Sequence, residues 1–244
     1  MKKLPDRKYV NKIKVDWSYD DLMKDIELPK KLPDLNNFDQ AYFFTQDKNI
    51  VQGFLYIHNN KPVIIPEPEP SILYFANSSR VVDNIIENRN EIFKLIGLEN
   101  VYKIDLVFSD FFLDAFNFVI NLFASIEAFH NSVIPEDFTY RDKKKGLLNR
   151  EKIQRFATHD VKAESIIPLI FEKSFIEENE DKYSVISKLK GIRDNLVHTK
   201  NQSKNWAASY RDIFRDLLSF DYENALKYTK DYMNYYKDNW IENE

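Results

Sequence analysis

The sequence predicts a mainly α-helical bundle behind a small β-containing N-terminal region. Only four glycines occur in 244 residues (Gly53, Gly97, Gly146, Gly191), so few positions invite a break in helix. From about residue 79 onward, apolar side chains recur every three or four positions. Seven of the nine prolines, by contrast, fall at or before Pro70, where their fixed backbone blocks helix.

Residues 41–45 (Ala-Tyr-Phe-Phe-Thr) read as a strand. Gly53-Phe-Leu-Tyr-Ile-His58 and Pro62-Val-Ile-Ile65 read as a β-hairpin with Asn59-Asn60 in the turn. Pro66-Glu-Pro-Glu-Pro70 is a stiff extended connector. It divides an N-terminal region, 1–75, from a helical domain, 76–244. Ser79 is placed to cap a helix that runs to Leu95 and ends by Gly97. A long helix follows, from about Asp105 to Val133, stopped by Pro135. Phe108, Phe111, Phe112, Ala115, Phe118, Val119, Leu122, Phe123, Ile126 and Phe129 repeat along it at helical spacing, so it belongs at the centre of a bundle. Residues 136–148 read as a basic loop, 151–157 and 161–173 as short helices, and 174–183 as an acidic loop. Helices over 184–199, 206–218 and 222–240 complete the chain.

The chain has no cysteine, which excludes disulfides, thiolate nucleophiles and zinc–cysteine sites. No two histidines have metal-ligand spacing, so no metal is expected, and no phosphate-cradling glycine loop implies a cofactor. The most apolar stretch, 111–126, is interrupted by Asp114 and Asn117, and no membrane span is expected. No signal peptide opens the sequence, so a cytoplasmic location is the expectation. Net charge is −4, yet charge is segregated. Residues 141–162 carry eight basic side chains against three acids, and 186–215 carry seven against two. Where folding brings the two runs together they make one basic face for a phosphate-bearing partner, with Lys143, Lys144, Lys145, Lys190 and Lys200 as candidate RNA contacts; where it does not, they are solvated helix faces.

Chemistry is most legible at Arg193-Asp194-Asn195-Leu196-Val197-His198. An imidazole moves protons near neutral pH, and a guanidinium holds a phosphate through paired hydrogen bonds. On a helical wheel with Leu189 at zero, Val185, Ile186, Ile192, Leu196 and Val197 form one apolar stripe. Arg193 falls inside it at about +40°, and His198 lies opposite at about 180°. A half-desolvated Arg193 needs an anionic partner, for which Glu127 is the candidate, with Asn131 one turn further on. Asp194 stands four residues before His198 and is placed to orient its ring. Two copies of this helix about a two-fold axis would line one groove with both arginines and both histidines. Of the other histidines, His58 reads as an outward strand residue, His130 as structural and His159 as a loop or cap residue.

Arg193 to His198 resembles the Arg-x4-6-His signature of HEPN domains, in which a polar residue commonly follows the arginine. Phe123-Ala-Ser-Ile-Glu-Ala-Phe-His-Asn131, closing a long helix before Ile134-Pro135, is similar to the Glu-Ala-Phe-x-Asn close of the first major helix in bacterial members. Arg150-Glu-Lys-Ile-Gln-Arg155, Val161-Lys162 and Ile167-Pro168 resemble the connecting segment of those members, and Asp221-Tyr-Glu-Asn-Ala225 fits their last helices. The likeness covers residues 105–240 and leaves 1–75 unplaced.

The resemblance implies an antiparallel helical bundle that forms a homodimer through the motif helix. Many HEPN domains are metal-independent endoribonucleases of toxin–antitoxin or phage-defence systems. By that analogy His198 acts as general base or acid on RNA, and Arg193 holds the scissile phosphate. Asp194 and Asn195 orient and hydrogen-bond, and an antitoxin or defence-system protein is a further partner. Other HEPN domains bind a protein partner, RNA or a nucleotide without cleaving it, so a catalytically silent module is the alternative.

Overall fold

A computed structural model of the chain describes residues 12–14, 41–44, 49–95, 101–198 and 210–242. The chain divides into two compact units, one ending at Ile72 and one beginning at Leu73. The N-terminal unit holds strands β1 (Lys12–Lys14), β2 (Ala41–Phe44), β3 (Asn49–His58) and β4 (Lys61–Pro66). β3 pairs antiparallel with each of the other three. The β3–β4 turn is the expected one: Asn59 and Asn60 take φ of 49° and 60°, the left-handed pair that a two-residue hairpin demands and asparagine tolerates.

The first helix, α1 (Pro70–Leu95), starts nine residues before the cap expected at Ser79. Proline suits the first helical position, where its missing N–H has no helical partner. The Glu69 carboxylate accepts from the Ser71 amide at 3.4 Å and from its hydroxyl at 3.0 Å, capping the end. Ile72, Phe75, Ala76, Val82 and Ile85 continue one buried stripe through Ser79. Gly97, the expected stop, lies outside the described residues.

The second helix, α2 (Val101–Val133), begins a turn earlier than expected and forms the bundle's axis. Phe111, Ala115, Phe118, Val119, Leu122, Ile126 and Phe129 are wholly buried along it. Ser78 of α1 donates to the Phe118 carbonyl at 3.1 Å, which locks the two helices side by side. Among the described residues this helix holds one segment, Asp105–Val133, long and apolar enough by length and composition to cross a membrane. That corrects the expectation that Asp114 and Asn117 break the run. A helix buried against several others needs the same composition.

Of the loop expected over 136–148, only 136–138 is irregular, leading into regular structure. β5 (Thr139–Asp142) and β6 (Gly146–Asn149) form a second hairpin. The Asp142 carboxylate accepts from the amides of Lys144 and Lys145, both at 2.8 Å, and Gly146 closes the turn at φ +75°. Asn149 then caps α3 (Arg150–Phe156) through the Lys152 amide at 3.1 Å. Thr158 caps α4 (His159–Val161), which runs through a π-helical turn, Lys162–Ile166, into α5 (Ile167–Phe171). The acidic stretch 174–183 is helical too. α6 (Phe175–Glu178) is capped by Ser174, and α7 (Glu180–Val197) begins four residues before Ser184. Acidic side chains at Glu180 and Asp181 favour a helix start, where the dipole is positive. α8 (Arg211–Ser219) and α9 (Tyr222–Tyr236) follow. Both α7 and α9 pack on α2 and on each other.

Candidate functional site

The site is built on the last two turns of α7 where they cross α2. Ile186 and Leu189 are wholly buried and Ile192 nearly so, which fixes the face that α7 turns to the bundle. Arg193 follows on that face and is half-buried. Its Nη2 donates to Glu127 Oε2 of α2 at 3.4 Å, the pairing its place on the apolar stripe requires. Nη1 donates to Asp194 Oδ1 at 2.9 Å, and the guanidinium lies 4.9 Å from the Phe123 ring centroid. Two carboxylates and an aromatic face therefore hold the guanidinium plane still, with 28% of the side chain open to solvent.

His198 terminates the helix. Its amide donates to the Asp194 carbonyl at 3.0 Å, and its backbone leaves the helical region at φ −108°, ψ 43°. The imidazole is exposed and has no hydrogen-bond partner among the described residues. The expected side-chain contact with Asp194 is not made. The Asp194 carboxylate is instead engaged by Arg193 and, at 3.5 Å, by Lys190. Asn195 is exposed beside it. Val197, assigned to the buried stripe, is 52% exposed, because the last turn runs out from under the bundle.

Asn131 is not a partner of Arg193. Its side-chain oxygen accepts from Lys162 Nζ at 2.8 Å, and its carbonyl accepts from Gln154 at 2.9 Å. Lys162, counted above in a basic run, turns inward and is buried. Burial pulls its pKa down, and Glu127 acts against that shift. Lys190 lies 3.4 Å from Asp160 and 3.5 Å from Asp194, so its charge is already matched. Lys143, Lys144 and Lys145 form the β5–β6 turn. Lys200 lies outside the described residues.

Behind Arg193 runs a file of buried polar groups; His130 is structural, as its position suggested, whereas His159, read as a loop or cap residue, is buried with it. His159 packs against Phe123 at 4.8 Å and His130 at 5.2 Å between ring centroids, and His130 Nε2 meets the Tyr232 hydroxyl at 2.7 Å. Both ring nitrogens of His159 and Nδ1 of His130 are buried without a hydrogen-bond partner. Desolvation lowers the His159 pKa to about 4 and holds His130 well below its usual range. Both imidazoles are neutral at neutral pH, so neither serves as a proton carrier there. The signal for His130 was its register: it stands four residues after Ile126, on the buried face of α2. His159 gave no such signal, because a three-residue helix shows no period.

Among the described residues, no group of three or more His, Cys, Asp or Glu side chains is arranged to hold a metal. Compared with protein-family models, curated proteins and solved structures, the chain matches none.

Proposed function

We propose that the chain is a metal-independent endoribonuclease whose site forms where the α7 helices of two copies meet. The observation that carries this reading is the presence, on one helix end, of a fixed, part-open guanidinium and of an exposed imidazole at His198 that has no partner among the described residues. His198 of one copy takes the proton from the ribose 2′-hydroxyl. The 2′-oxygen attacks phosphorus, and the 5′-oxygen leaves with a proton from water, while the guanidinium at the phosphate comes from the other copy's Arg193. The products are a 2′,3′-cyclic phosphate and a 5′-hydroxyl. Arg193 donates to the phosphoryl oxygens as charge builds on them. An attacking group supplied by the substrate needs no metal and restricts the reaction to RNA.

Support for the two-copy arrangement comes from exposed apolar surface beside His198 and along α2. Val197 is exposed beside His198. On α2, Leu106, Leu113, Phe116 and Ile120 are exposed, and on a 3.6-residue wheel they share the face of Glu127. A second copy covering that strip would bring its own α7 to this groove.

A silent RNA- or protein-binding module is the second reading, favoured by the engagement of Arg193 with both Glu127 and Asp194. Incubation of the purified chain with RNA in EDTA separates the two. The nuclease reading expects cleavage with cyclic phosphate ends, reduced about 100-fold or more in His198→Ala. Equal cleavage by wild type and His198→Ala, or none by either, rejects it.

A further inference from the structure

We infer that the β5–β6 hairpin and the end of α3 form a separate grip for single-stranded RNA, away from the reacting groups. Residues 139–156 carry seven basic side chains against two acids in a chain of net charge −4. Asp142, one of those two acids, is spent on the turn amides, which hold its carboxyl below its ordinary pKa. Arg141, Lys143, Lys144 and Lys152 are exposed and, among the described residues, form no ion pair. Arg150 Nε is buried without a partner. Cations left unmatched on an acidic protein make a local positive field, the footprint of a phosphate-bearing ligand.

An aromatic ring stands beside these charges. Lys145 Nζ donates to the Phe156 carbonyl, which ties the hairpin turn to the end of α3. The Phe156 side chain is 46% exposed, with the Arg155 guanidinium 5.2 Å from its centroid. Side-chain cations for phosphates, next to an open ring with a guanidinium over it, suit an unpaired base, since a duplex hides its base faces. The support is rigid. Leu148 of β6 and Ile153 of α3 are buried with Ile134 and Ile166 in one cluster. Gln154 of α3 bonds the Asn131 carbonyl, one turn beyond Glu127. The arm is therefore anchored to the end of α2 that holds Arg193.

The choice of RNA rests on the ribonuclease reading; the grip itself does not. Binding is best measured in EDTA on the full chain carrying His198→Ala, with a labelled single-stranded oligoribonucleotide. The paired change Lys143→Ala and Lys144→Ala should weaken binding about twenty-fold at 0.1 M salt and flatten the log–log salt slope by about 1.4. Phe156→Ala should weaken it about fivefold or more with the slope unchanged. Lys143→Arg with Lys144→Arg should retain affinity, and duplex RNA should compete poorly. Unchanged affinity and slope in the double alanine variant would overturn the inference. So would equal competition by duplex RNA, or tighter hairpin-dependent binding to phosphatidylserine vesicles than to RNA. An absence of cleavage by the wild-type chain would leave the binding result standing.

Discussion

The buried histidine file makes the fold sensitive to acid, and His159 sets the size of the effect. Its folded pKa of about 4 lies below the ordinary value of 6.5. Between these values the unfolded chain binds a proton that the folded chain refuses. Stability is therefore fully present above pH 6.5 and declines as pH falls toward 4. At 1.36 kcal/mol per pH unit, the loss is about 2 kcal/mol between pH 7 and pH 5 and about 3 kcal/mol in full. His130, shifted in the same direction by burial, steepens the decline. Replacing the ring by one of similar shape without nitrogens isolates the contribution of this histidine. His159→Phe keeps the packing against Phe123 and His130 and removes two unpartnered nitrogens. Urea midpoints followed by tryptophan fluorescence from pH 7.5 to 4.5 should show the variant at least as stable as wild type at pH 7. Its pH dependence should be shallower by about 2 kcal/mol at pH 5. Parallel profiles for the two proteins would refute the reasoning.

Lys162→Met strands the Asn131 side-chain oxygen and the Gln154 carbonyl, so urea unfolding should report a loss of about 2 kcal/mol. Gly146→Ala meets no atom within 4 Å yet forces a Cβ onto φ +75°, and should cost about 1 kcal/mol by the same measure. Arg193→Lys keeps the charge and loses the planar fork. Because its carboxylate partners are part exposed, stability should fall by less than about 1 kcal/mol, whereas RNA cleavage in EDTA should drop at least tenfold.

The fold was legible where the physics is local. Asn59-Asn60 announced the β3–β4 turn, and the phenylalanine period of 108–129 announced the axis of the bundle. Errors arose where tertiary packing or side-chain caps overrode composition. Pro70 reads as a breaker but starts a helix, because Glu69 caps it and Ile72 and Phe75 extend the buried stripe. The lysines of 143–145 read as loop, but Asp142 and Gly146 supply the turn of a hairpin. At the site, the wheel placed Arg193 opposite Glu127 correctly, since one stripe sufficed. It misplaced the Asp194–His198 contact because a wheel does not register competing partners, and Arg193 and Lys190 hold the Asp194 carboxylate. The inward turn of Lys162 follows from a π-helical segment, which carries no simple sequence period.

The claim that one site draws on two copies is tested most directly by mixing inactive halves. Arg193→Ala and His198→Ala chains would be unfolded together, refolded, and assayed on RNA in EDTA beside each variant alone. Each alone should be inactive. The mixture should regain cleavage, because a mixed pair carries one intact guanidinium and one intact imidazole on opposite copies. A mixture as inactive as its components, while wild type cuts, would contradict the account.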